Sequence, residues 1–232
     1  MNKILIIVPA YNEEANIKQT ISALSAIDND VDILVVNDGS TDATSHIVSA
    51  LPNVNLINLK INLGIGGAVQ TGFKYAKKYN YDIAIQFDGD GQHNANEIEK
   101  LLHALTEYKA DMVIGSRFIN KQGFQSTLSR RVGIFVFELL NAAISGQRVS
   151  DNTSGFRAYS KRAIEYLAVS YPQDYPEPEL VIIMAKKGFR IIEVPVIMNK
   201  REGGKSSING LKSIYYMIKV ILSILITSMR KF

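Results

Sequence analysis

The sequence has 232 residues, of which 47% are hydrophobic, so one large domain, or a domain with a tail, can bury a sizeable core. It contains no cysteine, which excludes disulfides and thiolate metal sites. The net charge of +4 suits phosphate-bearing or membrane-surface partners, whereas no stretch rich in Lys, Arg and aromatic residues indicates binding to nucleic acid.

The first half of the chain alternates predicted strands and helices. Strands are expected at about residues 3–8, 31–36, 54–58, 83–87 and 111–115, and later helices at about 64–78 and 95–108. Alternation at this spacing predicts parallel strands that are joined by right-handed crossovers. The expected fold class is therefore α/β, with an open, mostly parallel sheet and helices on both faces.

Polar residues follow the first two predicted strands. Asn12 is expected to cap a helix whose first turn carries Glu13 and Glu14. Ser40 or Thr41 is expected to cap the helix after the second strand. These predictions place both polar segments at helix starts.

The fourth strand runs directly into Asp88, Gly89 and Asp90. Open α/β sheets place their sites beyond the carboxyl ends of strands, where these residues lie. In a continuing strand the two carboxylates share an orientation, and hard oxygen ligands beside open space suit Mg²⁺ or Mn²⁺. The alternative is an ordinary turn, because Asp-Gly pairs are among the commonest turn formers.

After Ser116 the alternation loosens. The predicted parts are a loop bounded by Arg117 and Arg131, a helix at about 132–145, the polar segment 151–157, a short helix after Glu179, a strand at about 190–198 and a polar loop at 201–207. No internal repeat and no low-complexity linker separates this half from the first.

The final segment, 211–232, is almost entirely apolar except for a periodic polar stripe. The stripe consists of Lys212, Tyr216, Lys219, Ser223, Thr227 and Arg230. On a helix these residues share one narrow face. The longest uncharged run, 220–229, is shorter than the roughly 18 residues that a spanning helix needs, so a helix in the membrane interface is favoured. Packing against the domain or a partner subunit is the alternative.

Six motifs come in the order and spacing of family 2 glycosyltransferases. They are the segments 9–14, 37–42, 62–64, 88–93, 154–157 and 201–206, which read PAYNEE, NDGSTD, NLG, DGDGQH, SGFR and REGGKS. Within that family the sequence resembles the polyprenyl-phosphate glycosyltransferases, which include dolichyl-phosphate mannose synthase. The resemblance implies a GT-A-like catalytic domain at 1–208, followed by an amphipathic helix at 209–232.

Two features depart from the family pattern. Asn37 stands where many members carry a second Asp before Asp38. The sequence also lacks the paired spanning helices of the larger bacterial members, which leaves room for a small membrane-protein partner or a homo-oligomer.

The resemblance assigns residues to a donor site. The nucleotide base and ribose are assigned to Pro9, Tyr11, Glu13 and Asp38. The metal that bridges the diphosphate, Mg²⁺ or Mn²⁺, is assigned to Asp88, Asp90 and Gln92. Chemistry agrees, because an Asp after a strand can accept hydrogen bonds from a base edge or from ribose hydroxyls. The ordinary alternatives are a helix N-terminus and a capped turn.

Catalysis is assigned to Asp90, acting through the metal, and to Arg201. By the resemblance, Arg201 neutralises the departing phosphate, a role that suits a permanently charged fork, and Lys205 assists it. The alternative for Arg201 is a solvated charge in a polar loop.

The acceptor phosphate is assigned to Arg117 and Arg131, whose alternative is a solvated surface. Asp151 is the candidate to orient or activate the acceptor. Glu179 is its rival, and a helix-start acid is the ordinary reading of that residue. A phosphate acceptor is already ionised near neutral pH, so it needs little help from a general base.

The expected reaction is inverting transfer of a sugar from a nucleotide-diphosphate sugar to an undecaprenyl-type polyprenyl phosphate at the cytoplasmic face of the membrane. Transfer to a sugar hydroxyl on a growing glycan is the alternative and needs a general base. A membrane scaffold that binds nucleotide-sugar without turnover is a remote alternative. A dinucleotide-dependent oxidoreductase is disfavoured, because Val69 stands where the last glycine of its fingerprint belongs.

Overall fold

The structure is a computed structural model that describes residues 2–27, 30–123, 128–199 and 211–229. Within these residues one sheet contains β1 (Ile4–Ala10), β2 (Val31–Asn37), β3 (Val54–Asn58), β4 (Ile83–Gln86), β5 (Met112–Ser116), β6 (Arg157–Ser160) and β7 (Ile191–Pro195). The strands lie in the order β3-β2-β1-β4-β6-β5-β7. The open α/β architecture that the alternating pattern predicts is confirmed.

Helices cover both faces of the sheet. They are α1 (Ile17–Ser25), α2 (Thr44–Ser49), α3 (Gly64–Lys78), α4 (Ile98–Glu107), α5 (Leu128–Ser145), α6 (Lys161–Leu167), α7 (Pro176–Lys186) and α8 (Leu211–Met229), with a short 3-10 turn at Ala95–Glu97 before α4. Each face of β1 belongs to a separate apolar cluster, with Leu5 and Ile7 in one and Ile6 and Val8 in the other. Burial on both faces explains why the strands read as continuous apolar runs.

Strand β6 runs antiparallel to both of its neighbours, β4 and β5, while the other strand pairs are parallel. The sequence did not predict this strand, because it is only four residues long and begins with an arginine. Arg157 is nevertheless fully buried. Its guanidinium donates to the backbone carbonyls of Ser154, Asn152 and Glu177, at 2.7, 3.0 and 3.0 Å. These three hydrogen bonds to carbonyls let a buried cation start a central strand.

The predicted helix caps are wrong. Helix α1 begins at Ile17, not after Asn12, and α2 begins at Thr44, after Ala43. Asn12 instead adopts a left-handed backbone conformation with φ 54°. Asparagine tolerates this conformation better than most residues, because its short polar side chain can hydrogen-bond locally.

Helix α8 differs from expectation at two positions of the polar stripe. Ser223 and Thr227 donate hydrogen bonds to the two carboxylate oxygens of Glu179 on α7, the second at 3.2 Å. Val220 and Ile224, on the same side of α8, are fully buried. This part of the stripe therefore faces the protein, so the packing alternative describes residues 220–227. The reason is that a buried carboxylate needs donors, which Ser223 and Thr227 supply.

Because Ser223 and Thr227 on α8 face the protein, apolar side chains of the same helix are exposed. The α5–α8 apolar surface consists of Phe135 and Leu139 on α5 and Leu222, Ile226 and Met229 on α8, each more than half exposed. None of the helices in the described part of the chain is long and apolar enough to cross a membrane.

Candidate active site

A cavity of about 400 Å³ opens at the carboxyl ends of β1, β2 and β4. Its lining includes all four residues predicted to bind the nucleotide and both carboxylates predicted to bind the metal, namely Pro9, Tyr11, Glu13, Asp38, Asp88 and Asp90. These residues come from three segments that are far apart in sequence. The parallel direction of β1, β2 and β4 brings the three segments to the same edge.

The loops after β1 and β2 are joined by hydrogen bonds. The Asn12 side chain accepts a hydrogen bond from the backbone N–H of Thr41 at 2.9 Å, and its own N–H donates to the Ser40 hydroxyl at 3.0 Å. Glu14 Oε2 accepts from the backbone of Ala43 at 2.9 Å. The residues predicted as helix caps therefore fix one loop against the other, and these bonds shape the cavity wall beside Tyr11 and Glu13.

Asp42 also joins the loops after β1 and β2. It accepts hydrogen bonds from Glu14 N at 3.1 Å and from the Thr44 hydroxyl at 2.5 Å. Burial by itself raises the pKa of this carboxyl, but the bonds from Thr44 and Glu14 outweigh it and lower the pKa below the usual value. Asp42 is therefore ionised at neutral pH.

Asp38 is buried at the end of β2 and holds the loop that precedes α3. Its Oδ1 accepts a hydrogen bond from the backbone N–H of Leu63 at 2.7 Å. The neighbouring Asn37 donates its amide to Asn58 Oδ1 at 2.8 Å. A carboxylate at position 37 could not donate this bond, so the departure from the family pattern has a local structural reason.

The segment before α3 and the start of that helix also line the cavity, through Asn62, Gly64 and Ile65. The motif NLG at 62–64 is the sequence signal that this segment belongs to the site, although it assigns no role to these residues. Gly64 has a φ of 79°, which residues other than glycine rarely adopt. Tyr11, Leu63 and Ile65 are exposed apolar side chains around this segment and could cover a flat ring.

Asp88 is a crowded carboxylate. Its Oδ1 is buried and has no hydrogen-bond partner among the described residues. A Cβ atom on Gly155 would lie 2.7 Å from Asp88 Oδ2, so only glycine fits beside it. Burial, and after it the charge of Asp90, raises the pKa of Asp88 to about 7. An unpartnered carboxylate oxygen next to a second carboxylate is an arrangement that a cation stabilises.

His93 contacts Asp88 on both of its ring nitrogens. The backbone N–H of Asp88 donates to Nδ1 at 3.0 Å, and Nε2 lies 3.6 Å from Asp88 Oδ2. Burial lowers the pKa of His93 to about 4, so the ring is neutral. Sequence analysis assigned no role to His93, although it ends the motif 88–93.

Gln92 lies beside the cavity rather than in its lining. Its backbone N–H donates to Asp90 Oδ1 at 3.1 Å, and its carbonyl accepts from Asn199 N at 2.8 Å. Among the described residues no group of three His, Asp or Glu side chains is arranged to hold a metal ion. The carboxylates that line the cavity belong to Glu13, Asp38, Asp88 and Asp90, and the last two are neighbours at the end of β4.

Arg117 and Asp151 form a buried ion pair. Arg117 Nε and Nη2 donate to the two oxygens of Asp151, each at 2.7 Å. Although burial lowers the pKa of Arg117, the charge of Asp151, and further away that of Asp88, raises it above the usual value. Two of the three residues predicted to serve the acceptor, Arg117 and Asp151, thus bind each other.

Glu193 supports this pair from β7. Its carboxylate accepts the backbone N–H groups of Ser150 at 2.7 Å and Asp151 at 2.8 Å. Burial outweighs these bonds and raises the pKa of Glu193. Glu193 could not be recognised from the sequence, because it lies in the middle of a predicted strand and belongs to no motif.

The remaining predicted residues are less informative. Arg131 lies in α5, but its side chain is outside the described residues, as are Arg201 and Lys205. Glu179 is buried against Ser223 and Thr227, away from the residues that line the cavity.

Comparison with known proteins agrees with this geometry. The profile of Glycosyl transferase family 2 matches residues 5–167. A UDP-N-acetylglucosamine–dolichyl-phosphate N-acetylglucosaminyltransferase of Methanococcus voltae is 35% identical over 212 residues, which cover 83% of this chain and 84% of the relative. An undecaprenyl-phosphate mannosyltransferase of Micrococcus luteus is 31% identical, with 90% and 88% covered.

A solved structure shows the same fold. Glucosyl-3-phosphoglycerate synthase of Mycobacterium tuberculosis, in complex with Mn²⁺, uridine-diphosphate-glucose and phosphoglyceric acid, superimposes with a TM-score of 0.73 at 22% identity. The match covers 100% of this chain and 81% of that protein. The chain is therefore a glycosyltransferase with a GT-A-like fold that belongs to glycosyl transferase family 2, and within that family it resembles the enzymes that act on polyprenyl phosphates.

Proposed function

We propose that the protein transfers a sugar from a nucleotide-diphosphate sugar to an undecaprenyl-type polyprenyl phosphate, with Mg²⁺ or Mn²⁺ held by Asp88 and Asp90. One observation carries the proposal. The residues assigned to the nucleotide and the two carboxylates assigned to the metal line a single cavity at the carboxyl ends of β1, β2 and β4. A nucleotide diphosphate needs this combination, because its base and its charged diphosphate must be bound side by side.

The donor contacts follow from the chemistry of the lining. Tyr11 and Ile65 offer exposed apolar surface to the base, and Asp38 and Glu13 offer acceptors to base and ribose. Asp38 already accepts one backbone bond from Leu63, which fixes its orientation before the ligand arrives. Pocket shape in this region selects the base.

The residues around Asp88 fit a divalent cation. Two carboxylates supply hard oxygens, and the buried Asp88 Oδ1 lacks a partner among the described residues. Mg²⁺ is commonly held by one or two carboxylates while substrate phosphates and water complete its shell, so a set of three acidic residues is not required. Gln92, anchored through Asp90, is the proposed third protein ligand.

The buried ion pair favours a phosphate acceptor over a sugar hydroxyl. Asp151 is fully buried, and both of its oxygens are engaged by Arg117, so it is poorly placed to remove a proton from a hydroxyl. The bonds to Asp151 use Nε and Nη2 of Arg117, not Nη1. We propose that Asp151 holds Arg117 in position and that Arg117, with Arg131, receives the ionised acceptor phosphate.

The metal, when bound, stabilises the negative charge that grows on the leaving diphosphate. Arg201 and Lys205 are proposed to add positive charge there. Asn199, which comes shortly before Arg201 in the chain, donates its backbone N–H to the carbonyl of Gln92, close to Asp90. Arg117 holds the acceptor phosphate opposite the leaving group, so in-line attack inverts the anomeric carbon. Alignment of two bound substrates supplies much of the remaining acceleration.

The α5–α8 apolar surface is the proposed contact with the membrane, at its cytoplasmic face. Five apolar side chains on α5 and α8, two helices that contact each other, are each more than half exposed, as suits a membrane surface. In this proposal Arg117 meets the phosphate of the lipid acceptor close to the membrane surface. In this proposal, 1–208 is catalytic and 209–232 completes the membrane contact.

A transfer assay tests the proposed function. Nucleotide-sugars are incubated with undecaprenyl phosphate in vesicles, with Mg²⁺ or Mn²⁺ and with excess EDTA. We expect lipid-linked sugar with metal and none with EDTA. Full turnover in EDTA would contradict the metal proposal, and exclusive transfer to a glycan hydroxyl would contradict the acceptor proposal.

A further inference from the structure

His93 ends the motif 88–93 and touches Asp88 at two places. The backbone N–H of Asp88 donates to Nδ1 at 3.0 Å, so Nδ1 carries no proton. The proton of the neutral imidazole must then be on Nε2. Nε2 lies 3.6 Å from Asp88 Oδ2, a contact longer than a hydrogen bond. Nδ1 is therefore hydrogen-bonded to Asp88, and Nε2 lies close to the carboxylate of the same residue.

The ring cannot exchange these two contacts by rotating. It stacks on Phe156 with centroids 4.9 Å apart and an angle of 20°. Phe87 meets it edge-on at 5.1 Å and 86°. His93 is only 7% exposed. Tight aromatic packing on two sides thus fixes which nitrogen faces the backbone and which faces the carboxylate.

A further wall confines the Asp88 carboxylate. A Cβ on Gly155 would lie 2.7 Å from Oδ2 and 3.1 Å from Oδ1, so the carboxylate sits directly against the Gly155 backbone. Gly155 immediately precedes Phe156, the residue that stacks on His93. One short segment therefore supports both the carboxylate and the imidazole beside it.

We propose that His93 is a positioning residue for Asp88. Through Nδ1 it fixes the backbone at the end of β4, and through the proton on Nε2 it orients the carboxylate toward an incoming divalent cation. The inference rests on the proposed function, because the cation is what Asp88 is positioned to bind. A neutral ring suits this place, since it orients a carboxylate without adding positive charge beside the cation.

Two substitutions separate the roles of the ring. His93→Phe keeps the aromatic packing and removes both nitrogens. His93→Asn places an amide oxygen near the position of Nδ1, and so keeps an acceptor for the Asp88 N–H while losing Nε2. The matched control is His103→Asn, because His103 is 72% exposed and pairs with Glu107 on α4.

The first measurement is a titration with Mn²⁺ alone, followed by electron paramagnetic resonance, without nucleotide-sugar. We expect His93→Phe to weaken Mn²⁺ binding about 10–100-fold, the usual range when a partner of a metal ligand is lost. His93→Asn should lose less, and His103→Asn should bind as the wild type does. Unchanged Mn²⁺ affinity in a folded His93→Phe overturns the inference. Absence of Mn²⁺ binding by the wild type contradicts the proposed function instead.

The second measurement uses the metal-free wild-type protein and does not depend on how the variants fold. Nitrogen-15 NMR of the imidazole should place the proton on Nε2, and the Asp88 amide should exchange slowly with solvent. A proton on Nδ1, or rapid exchange of the Asp88 amide, overturns the inference whatever the metal affinities are.

Discussion

The proposed site has a donor side, around Asp88 and Asp90, and an acceptor side, around Arg117 and Asp151, and the carboxylates of the two sides have different partners. On the donor side, Asp88 and Asp90 face a cavity, and one buried oxygen of Asp88 has no hydrogen-bond partner among the described residues. On the acceptor side, Asp151 is already matched by Arg117, and the backbone of Asp151 is held by Glu193. Among the described residues, the donor side thus keeps one carboxylate oxygen of Asp88 for a ligand, whereas the Asp151 carboxylate on the acceptor side is already paired with Arg117.

This contrast indicates what each side needs in order to work. A site with two neighbouring carboxylates favours binding of a cation, but the repulsion between the carboxylates costs stability when the site is empty. A site whose arginine is already held by a buried carboxylate is preorganised, so binding of its ligand costs little conformational entropy. Four experiments can break or sharpen the comparison.

The largest effect is expected from Asp90→Asn, which removes one of the two neighbouring carboxylates that are proposed to hold the metal. Turnover should fall by about two orders of magnitude or more, the usual cost of losing one electrostatic stabiliser. The transfer assay with nucleotide-sugar and undecaprenyl phosphate measures it. Asp82→Asn, which changes an exposed aspartate paired with Lys161 before β4, is the control. Equal turnover in both variants would show that the donor-side charge has no catalytic role.

Asp151→Asn is expected to act on stability first. Removing one member of a buried ion pair leaves the other charge uncompensated, which costs about 3–5 kcal/mol. Urea unfolding measures the loss. The double variant Asp151→Leu with Arg117→Met should recover part of it, because no charge is then left unpaired. If Asp151→Asn has wild-type stability but no transferase activity, Asp151 is a general base and the acceptor is a hydroxyl.

A smaller change is expected on vesicles. Leu222→Gln together with Ile226→Gln should weaken binding to anionic lipid vesicles about tenfold per residue, since burial of each side chain contributes on the order of 1.5–3 kcal/mol. Flotation with liposomes measures it. Val169→Gln is the control, because Val169 is 74% exposed but lies outside the α5–α8 apolar surface. Equal flotation of all three proteins would place the membrane contact elsewhere.

The smallest effect concerns the stability of the metal-free protein. The pKa of Asp88 is raised from 3.8 to about 7. Between these two pH values the folded protein therefore holds a proton on Asp88 that the unfolded chain has lost. This stabilising contribution is full below about pH 4 and is lost as the pH rises through about 7. In EDTA, Asp88→Asn should therefore unfold a few degrees higher than the wild type at pH 8 and no higher at about pH 4.

Asp82→Asn serves as the matched control in the same melting experiment. The hydrogen bond from the Lys3 backbone, and after it the bond from Lys161, lowers the pKa of Asp82. Its stabilising contribution is therefore present at neutral pH and lost in acid, so this variant should melt lower than the wild type at pH 8. A higher melting temperature for Asp82→Asn, or a lower one for Asp88→Asn, would contradict the charge balance described above.

The donor side was largely predictable from the sequence. Asp38 and Asp88 follow apolar runs that are buried on both faces, and parallel strands bring such positions together. The acceptor side was not predictable in the same way. The bond between Arg117 and Asp151 spans 34 residues and depends on the reversed strand β6, whose first residue is an arginine. Arg157 is buried because three backbone carbonyls accept its hydrogen bonds, and no local sequence pattern reveals these partners.

Side-chain direction was the other limit. The periodic stripe on α8 correctly indicated an amphipathic helix, but periodicity does not show which face meets the protein. Glu179 determines which face of α8 meets the protein, because its buried carboxylate accepts hydrogen bonds from Ser223 and Thr227. The same limit explains Asn12, whose polar side chain was read as a helix cap and instead binds the loop after β2.

The reversed strand β6 has a consequence for how this enzyme could diversify. Because β6 runs against β5, the chain leaves the sheet after β5 and re-enters it at β6 on the same edge, where Gly115 N donates to Phe156 O at 2.9 Å. The two ends of the excursion 117–156 thus meet beside the candidate site, and its last two residues, Gly155 and Phe156, pack against Asp88 and His93. Chimeras that exchange residues 118–153 between relatives but keep Gly155 and Phe156 should therefore keep the sugar and change the recipient.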